Sequence, residues 1–417
     1  MSDISTAWSM FENALRDKIS DNQKWEGLQL VQVPQPADWN NASTGQWEIC
    51  EFWGNTMNAW SSGWARTGKS VDSAYFSFLM NLDLKPPKDL SDDDKKKLDD
   101  AKKDFDNAVQ TREKDQTKVG KEWNKFNTSQ INMPPSGQVP FQTWYAQNWG
   151  TRISADTLDV QAKQQKYVSL WKQYSGTMQD VAQAIIDYNN PAYQTGATDP
   201  SGAALQYRAF SISPDLGTFI ADAKAGTGSS LYISFDSKTS SESKSAFSAS
   251  GSASYSAPFW GASASGGYSQ TKIDTSSTDF SCTISFPSWQ LFTVTPGQWF
   301  NGSVIAEYGN DTDKWIDKDA KFFGPDGSFN LITSQLVVAY QPKITIKMSR
   351  DDFSSVSKEW KAAASVNVGS FKFNLESGGG SDSIQTSDSS QTITLQTTSA
   401  TPQVIAVINN VLPSFNL

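Results

Sequence analysis

Residues 247–275 read FSASGSASYSAPFWGASASGGYSQTKIDT, and the parity of this stretch decides how the second half of the chain is read. Phe247, Ala249, Gly251, Ala253, Tyr255 and Ala257 share one parity; Ser248, Ser250, Ser252, Ser254 and Ser256 share the other. Successive side chains of a strand point to opposite faces, so the run describes one apolar face and one hydroxyl face. Pro258, Phe259, Trp260 and Gly261 interrupt it, and Ala262, Ala264, Gly266 and Tyr268 resume against Ser263, Ser265 and Ser269. The pattern predicts a long hairpin with an aromatic tip. Each arm holds about the 9–11 residues that a tilted strand needs to cross a bilayer core. No charged residue lies between Lys244 and Lys272.

Around this stretch the chain is rich in Ser, Thr and Gly with a period of two, so residues 201–417 read as an antiparallel β-rich half. That half suggests an internal duplication over about 231–295 and 344–411. At an offset of 113 residues Leu231 and Ile233 fall on Ile344 and Ile346, Phe247 on Trp360, and Phe280 and Cys282 on Ile393 and Leu395. In the second unit Val366 and Val368, then Phe371, Phe373 and Leu375, form an arm whose parity shifts at Gly369 and Ser370, as at a bulge.

Residues 1–195 carry helical spacing instead, so the fold class expected is α+β with a mainly helical first half. Trp8, Phe11, Leu15 and Ile19 mark one helix. Trp53, Met57, Trp60 and Trp64 predict a second, buried one. Residues 85–126 are dense in both charges and predict one long exposed helix or a helical hairpin that starts at Ser91 before Asp92, Asp93 and Asp94. A further long helix is predicted from Ala155 to Tyr188, ended by Asn189, Asn190 and Pro191.

Composition excludes several functions. The chain has 417 residues and a net charge of −9, which disfavours nucleic acid as a partner. It has no histidine, which removes Ser–His–Asp and Cys–His machinery and His-ligated zinc. Its two cysteines, Cys50 and Cys282, are too few and too far apart in sequence for a disulfide framework or zinc site. No stretch has about 18 consecutive apolar residues, and the first residues lack a signal-like basic and apolar pair of regions. The expectation is a protein made soluble in the cytoplasm without a signal peptide and released to act on target membranes, with a closed β-barrel as the spanning option left.

Two motifs fail on context. Gly63, Gly68, Lys69 and Ser70 match a phosphate-binding loop letter for letter, but such a loop needs a buried strand before it. The expected Trp-striped helix stands there instead, with Gly68 as its C-cap. Asp311, Asp313, Asp317 and Asp319 form an acidic run without the Gly and Glu spacing of a calcium loop. No catalytic residue, metal or cofactor is assigned. A carboxylate-dependent hydrolase ranks last among the readings, because no spacing singles out an acid pair.

With its Ser-rich arms and aromatic tip, the 247–275 hairpin resembles the pre-stem of β-barrel pore-forming toxins. The resemblance covers about thirty residues and implies a soluble protein that oligomerises on a membrane lipid or receptor and inserts the hairpin, without enzymatic activity. It implies lipid-facing Phe247, Ala249, Ala253, Tyr255, Phe259, Trp260, Ala262, Ala264 and Tyr268. The competing expectation is a self-assembling or glycan- or lipid-binding protein whose hairpin is static.

Overall fold

The spacing of Trp8, Phe11, Leu15 and Ile19 becomes helix α1 (Ser2–Ile19), with all four side chains buried. The computed structural model describes residues 2–19, 27–82, 91–130, 139–171, 179–242, 247, 255–264, 267–375 and 380–413. After α1 the chain enters strand β1 (Leu28–Pro36) and a short helix α2 (Gly45–Trp47) that continues as a π-helix over Glu48–Asn55. The helix predicted to run on through Trp64 stops there. Strand β2 (Thr56–Asn58) follows and pairs with β3 (Arg66–Ser70). The cause is visible between them: Leu30 of β1 donates its N–H to the Ser62 carbonyl and accepts from Trp64 N–H. The backbone of 62–64 is thus satisfied by a strand, not by a helix ladder.

Helix α3 (Val71–Asn81) buries Tyr75, Phe76, Phe78 and Leu79. The charged stretch is one helix, α4 (Asp92–Gln130), of 39 residues and about 58 Å at 1.5 Å per residue. Ser91 Oγ caps the helix by accepting from Asp94 N–H, and it donates to the Asp94 carboxylate. The helix is not merely a solvated face. Ala101, Phe105, Ala108, Val109, Arg112, Asp115 and Val119 form a buried stripe at helical spacing. Helices α5 (Phe141–Asn148), α6 (Gly150–Trp171) and α7 (Gln179–Tyr188) complete this layer. The single helix expected over 155–188 is therefore two helices among the described residues. Strands β4 (Gln194–Thr198) and β5 (Ala204–Arg208) form a hairpin against them.

The second half is mostly strand: β6 (Phe210–Ser213), β7 (Leu231–Asp236), β8 (Trp260–Ala264), β9 (Gly267–Gln270), β10 (Ser281–Phe286), β11 (Ser288–Pro296), β12 (Leu331–Tyr340), β13 (Lys343–Lys347), β14 (Ser365–Val368), β15 (Phe371–Asn374), β16 (Asp382–Ser387), β17 (Thr392–Thr397) and β18 (Gln403–Val411). Its helices are short: α8 (Leu216–Ala225), capped by Asp215 and ended by Gly226 at φ 71°, α9 (Gly302–Tyr308) and α10 (Arg350–Lys361). The chain is α+β, with helices concentrated in the first half and antiparallel sheets in the second.

Three sheets stack. The central one has the order β1-β18-β12-β11-β6; the outer ones are β16-β17-β13-β10-β7 and β15-β14-β8-β9. The central sheet is covered on both faces. Leu336, Val338, Val404 and Val407 join the cluster formed with α3, α4, α6 and α7, whereas Val337, Ala339, Ile405 and Ala406 join the cluster formed with α1, α10 and the outer sheets. A strand buried on both faces reads as a continuous apolar run, as in LVVAY of β12. The outer five-stranded sheet alternates instead: β7 is buried at Leu231, Ile233 and Phe235 and exposed at Tyr232, Ser234 and Asp236.

Connectivity repeats within this half. β7 pairs with β10 as β13 pairs with β17, and β6 pairs with β11 as β12 pairs with β18. The ladders do not keep the 113-residue offset throughout. Cys282 faces Phe235, but Leu395, 113 residues further on, faces Ile344, which is 109 residues beyond Phe235. The second unit also departs at Trp360, which lies in the last turn of α10 instead of starting a strand. Gly369 and Ser370 are the two-residue turn joining β14 to β15, not a bulge. Gly369 has φ 55°, which places a glycine at the first central position as a II′ turn requires.

Candidate functional site

The expected hairpin folds differently from its parity pattern. Its first arm lies mostly outside the described residues, which include Phe247 and then resume at Tyr255. Ala249 and Ala253 therefore have no described position. The aromatic pair is not at a tip. Trp260 opens β8, and the hairpin β8–β9 turns between Ala264 and Gly267, so the predicted second arm is itself folded back. β8 also pairs with β14 on its other edge, setting Trp260 opposite Val368 and Ala262 opposite Val366.

Phe259, Trp260 and Ala262 are consequently buried. Phe259 and Trp260 meet at 4.5 Å between ring centroids, and Trp260 packs against Phe280. Ser263, expected on a hydroxyl face, is buried as well. Ala264 and Tyr268 lie in β8 and β9.

The segment just before β8 is held on α1 by aromatic and polar contacts. Tyr255 stacks on Trp8 at 5.4 Å with ring planes 12° apart, and Phe259 meets Trp8 edge-on at 4.9 Å. Trp8 Nε1 donates to the Ala257 carbonyl at 2.7 Å, and Gln32 Oε1 accepts from the N–H groups of Ser256 and Ala257. Tyr255 Oη donates to Glu12 Oε2 at 2.6 Å, while Glu12 Oε1 pairs with Arg16 at 2.8 Å. Burial, then the Glu12 carboxylate, push the Tyr255 phenol far above its usual range, so it remains a donor. Phe247 is buried edge-on to Trp60 at 5.4 Å. Nothing in the spacing of residues 1–36 marks this dock; Glu12 sits among the apolar positions of α1 as an ordinary polar residue.

A second cluster escaped the sequence reading. Beneath the β4–β5 hairpin, α4, α6, the π-helix and the start of α3 enclose a narrow cleft of about 20 Å3, lined by Glu51, Asn55, Asp72, Arg112, Gln164 and Arg208 among others. Arg112, 2% exposed, donates through Nη2 to Ser70 Oγ, to Ser73 Oγ at 2.8 Å and to Asp72 Oδ1 at 3.2 Å. Glu51 accepts from Asn55 Nδ2 at 2.9 Å and from Gln116 Nε2 at 3.3 Å. Burial drives the Glu51 carboxyl up; burial also opposes the charge on Asp72, but Arg112 and Arg208 outweigh it and hold that carboxyl below its ordinary value. The Arg208 guanidinium lies 3.9 Å over the Tyr188 ring. The signal that was available is the stripe of α4: stepping by three and four residues from Phe105 and Val109 to Val119 lands on Arg112 and Asp115, so two of its charges had to face inward.

The discarded motifs also find places. Gly68 and Lys69 lie in β3, and Gly68 is pressed against the Glu113 carbonyl and Thr117 of α4, so its glycine serves close packing and not a helix cap. Asp313 pairs with Lys318 at 2.8 Å, and Asp317 Oδ1 accepts from Asp319 N–H. Among the described residues no group of His, Cys, Asp or Glu is placed to hold a metal ion, and no helix is long and apolar enough to cross a membrane. Cys50 and Cys282 are both buried free thiols.

No protein-family model, curated protein or solved structure matches the chain.

Proposed function

We propose that this chain is a membrane-active, self-assembling protein that stores residues 247–275 on its own body and releases them at a lipid surface or membrane receptor. Copies of the chain would then pair the released strands into a shared barrel, with Phe247, Ala249, Ala253, Tyr255, Phe259, Trp260, Ala262, Ala264 and Tyr268 toward lipid and serines toward the lumen. A closed barrel satisfies every backbone group in hydrocarbon. No chemical step is needed. The observation that carries this reading is the dock on α1. Tyr255–Phe259 are held by a few polar bonds and by stacking on Trp8, contacts that can be exchanged for lipid and for neighbouring strands.

One observation favours the static alternative, a binding protein whose segment never moves. β8 is built into a four-stranded sheet, and Phe259 and Trp260 belong to the core. Withdrawing those two side chains costs about 1.5–3 kcal/mol each before any ladder bond is broken, so release requires a surface that takes them up.

A disulfide separates the two readings. With Cys50→Ala and Cys282→Ala as background, Ala262→Cys and Val366→Cys face each other across β8 and β14. Mobile storage predicts dye release from phosphatidylcholine–phosphatidylserine liposomes that stops on oxidation and returns on reduction. It also predicts that Ser252→Leu impairs release while Ala253→Leu does not, since a barrel distinguishes its faces by parity. Release that persists in the oxidised protein, or no release by the parent at all, assigns the static reading.

A further inference from the structure

The three stacked sheets leave a crevice where their ends meet. β15 is the edge of one, β16 is the edge of the second with β17 beside it, and β18 belongs to the central sheet. Together they enclose about 100 Å3 among Lys372, Asn374, Asp382, Thr397, Ser399 and Gln403, with Pro342 beside them. One water needs about 10–15 Å3 of such space, so a small molecule has room. The rim is fixed by the backbone. Thr398 donates its N–H and its Oγ1 to the Ser381 carbonyl at 2.8 and 3.0 Å, and Thr397 N–H reaches the Pro342 carbonyl at 3.2 Å. Within this frame the polar groups have spare capacity. Lys372 is half-buried and makes no hydrogen bond or ion pair among the described residues; burial alone acts on its ammonium and pushes it below its usual range, with no carboxylate to offset it. Asp382 accepts from Asn374 N–H at 2.7 Å and from Ser381 Oγ at 3.2 Å, which leaves about two of its lone-pair sites open. Thr397 Oγ1 and Ser399 Oγ accept from the N–H groups of Ser399 and Thr401, so each keeps its own proton to donate.

We propose that this crevice binds a neutral sugar ring through Lys372, Asp382 and the Thr397 and Ser399 hydroxyls. The ligand class follows from what lines the space. One cation and one anion stand there unpaired with each other, so an ion of either sign meets a like charge. Apolar lining comes only from Pro342 and Phe371, both buried, so an acyl chain or an aromatic ring gains little area. A sugar hydroxyl both donates and accepts. It can give its proton to Asp382 and take one from Lys372, Thr397 or Ser399, and neighbouring hydroxyls on one ring present both roles side by side. Hydrogen bonds to a charged partner are the strong ones, which gives Lys372 and Asp382 the leading part. A desolvated ammonium without a partner is a cost to the fold, the kind of cost carried where binding, not stability, holds a residue in place. The inference does not depend on whether residues 247–275 move.

The test titrates the full chain with the methyl glycosides of glucose, galactose, mannose and N-acetylglucosamine, read by isothermal titration and by Tm, with glycerol, sodium phosphate and sodium chloride as controls. At least one glycoside is expected to bind saturably and raise Tm where the controls do not. Asp382→Asn keeps an acceptor for Asn374 N–H, and Lys372→Met keeps the aliphatic stem, so both variants preserve the frame of the crevice. Each should weaken the glycoside at least about tenfold, the loss of one hydrogen bond to a charged group. Lys372→Met should at the same time hold or raise Tm without ligand, since it removes a desolvated charge. Competition by phosphatidylcholine vesicles that bear the same sugar as a glycolipid assigns a membrane headgroup; indifference to them assigns a soluble glycan. No saturable glycoside binding, equal binding of glycerol or phosphate, or unchanged affinity in either folded variant overturns the proposal.

Discussion

Tyr255→Phe probes the dock on α1 with least disturbance elsewhere. The substitution keeps the ring stacked on Trp8 and deletes the bond from Tyr255 Oη to Glu12 Oε2. Glu12 retains Arg16, so no carboxylate is stranded. A hydrogen bond to a charged group contributes about 1.5–3 kcal/mol. If the docked and released segments are in equilibrium, the released population rises about 10- to 150-fold, at one decade per about 1.4 kcal/mol. The assay is the rate of dye release from liposomes, measured beside urea unfolding of the same preparation. Mobile storage predicts release at least about tenfold faster, because the bond is lost before the membrane step, together with a lower urea midpoint. A variant that loses the expected stability yet releases dye at the parent's rate refutes the reasoning. The bond would then stabilise a segment that stays where it is.

Gly369→Ala places a Cβ 3.0 Å from the Phe259 ring at φ 55°; the left-handed backbone and the contact together should cost about 2–3 kcal/mol in urea unfolding. Glu48 has its carboxyl raised by burial from 4.5 to about 7. A carboxyl whose pKa rises on folding takes up a proton in the folded state, so stability falls as pH rises from about 4.5 through about 7. Glu48→Gln, which keeps an acceptor for Trp53 Nε1, should therefore gain on the order of 1–3 kcal/mol at pH 8 and little at pH 4.5, read from unfolding midpoints at both values. Gly68→Ala drives a methyl into the Glu113 carbonyl and should lose about 1–3 kcal/mol, whereas Lys69→Ala should leave titrations with ATP and GTP unchanged at no micromolar binding.

Much of the fold is legible in periodicity. The buried face of α1, the run from Ser91 into α4 and the alternation of β7 all follow from spacing alone. Periodicity fails where the backbone finds a partner distant in sequence. The Trp53–Trp64 stripe looks helical, yet residues 62–64 bond to Leu30. Phe259 and Trp260 look like a tip because their environment is supplied by α1, β14 and Phe280, none of them close in sequence. The internal cleft was hidden for a related reason. A charge-dense helix exposes most of its charges, and only the phase of its sparse apolar residues shows that Arg112 and Asp115 turn inward. Its other walls come from 51, 164 and 208, which no local pattern brings together.

The central sheet has a consequence for autonomy. Consecutive residues of β12 serve different layers, Leu336 and Val338 facing the helices, Val337 and Ala339 facing α1 and the outer sheets. A cut between residues 195 and 201 is therefore expected to leave neither piece with its full core, which unfolding of the two fragments made separately would check. The fragment 201–417 would lose β1 from the edge of that sheet and turn Leu336, Val338, Val404 and Val407 toward water, a loss of about 6–12 kcal/mol at about 1.5–3 kcal/mol per side chain. Such a deficit is comparable to the whole stability of an ordinary domain. The tryptophan-rich helical layer and the serine-rich β layer are expected to melt in one cooperative transition, each acting as the other's solvent shield.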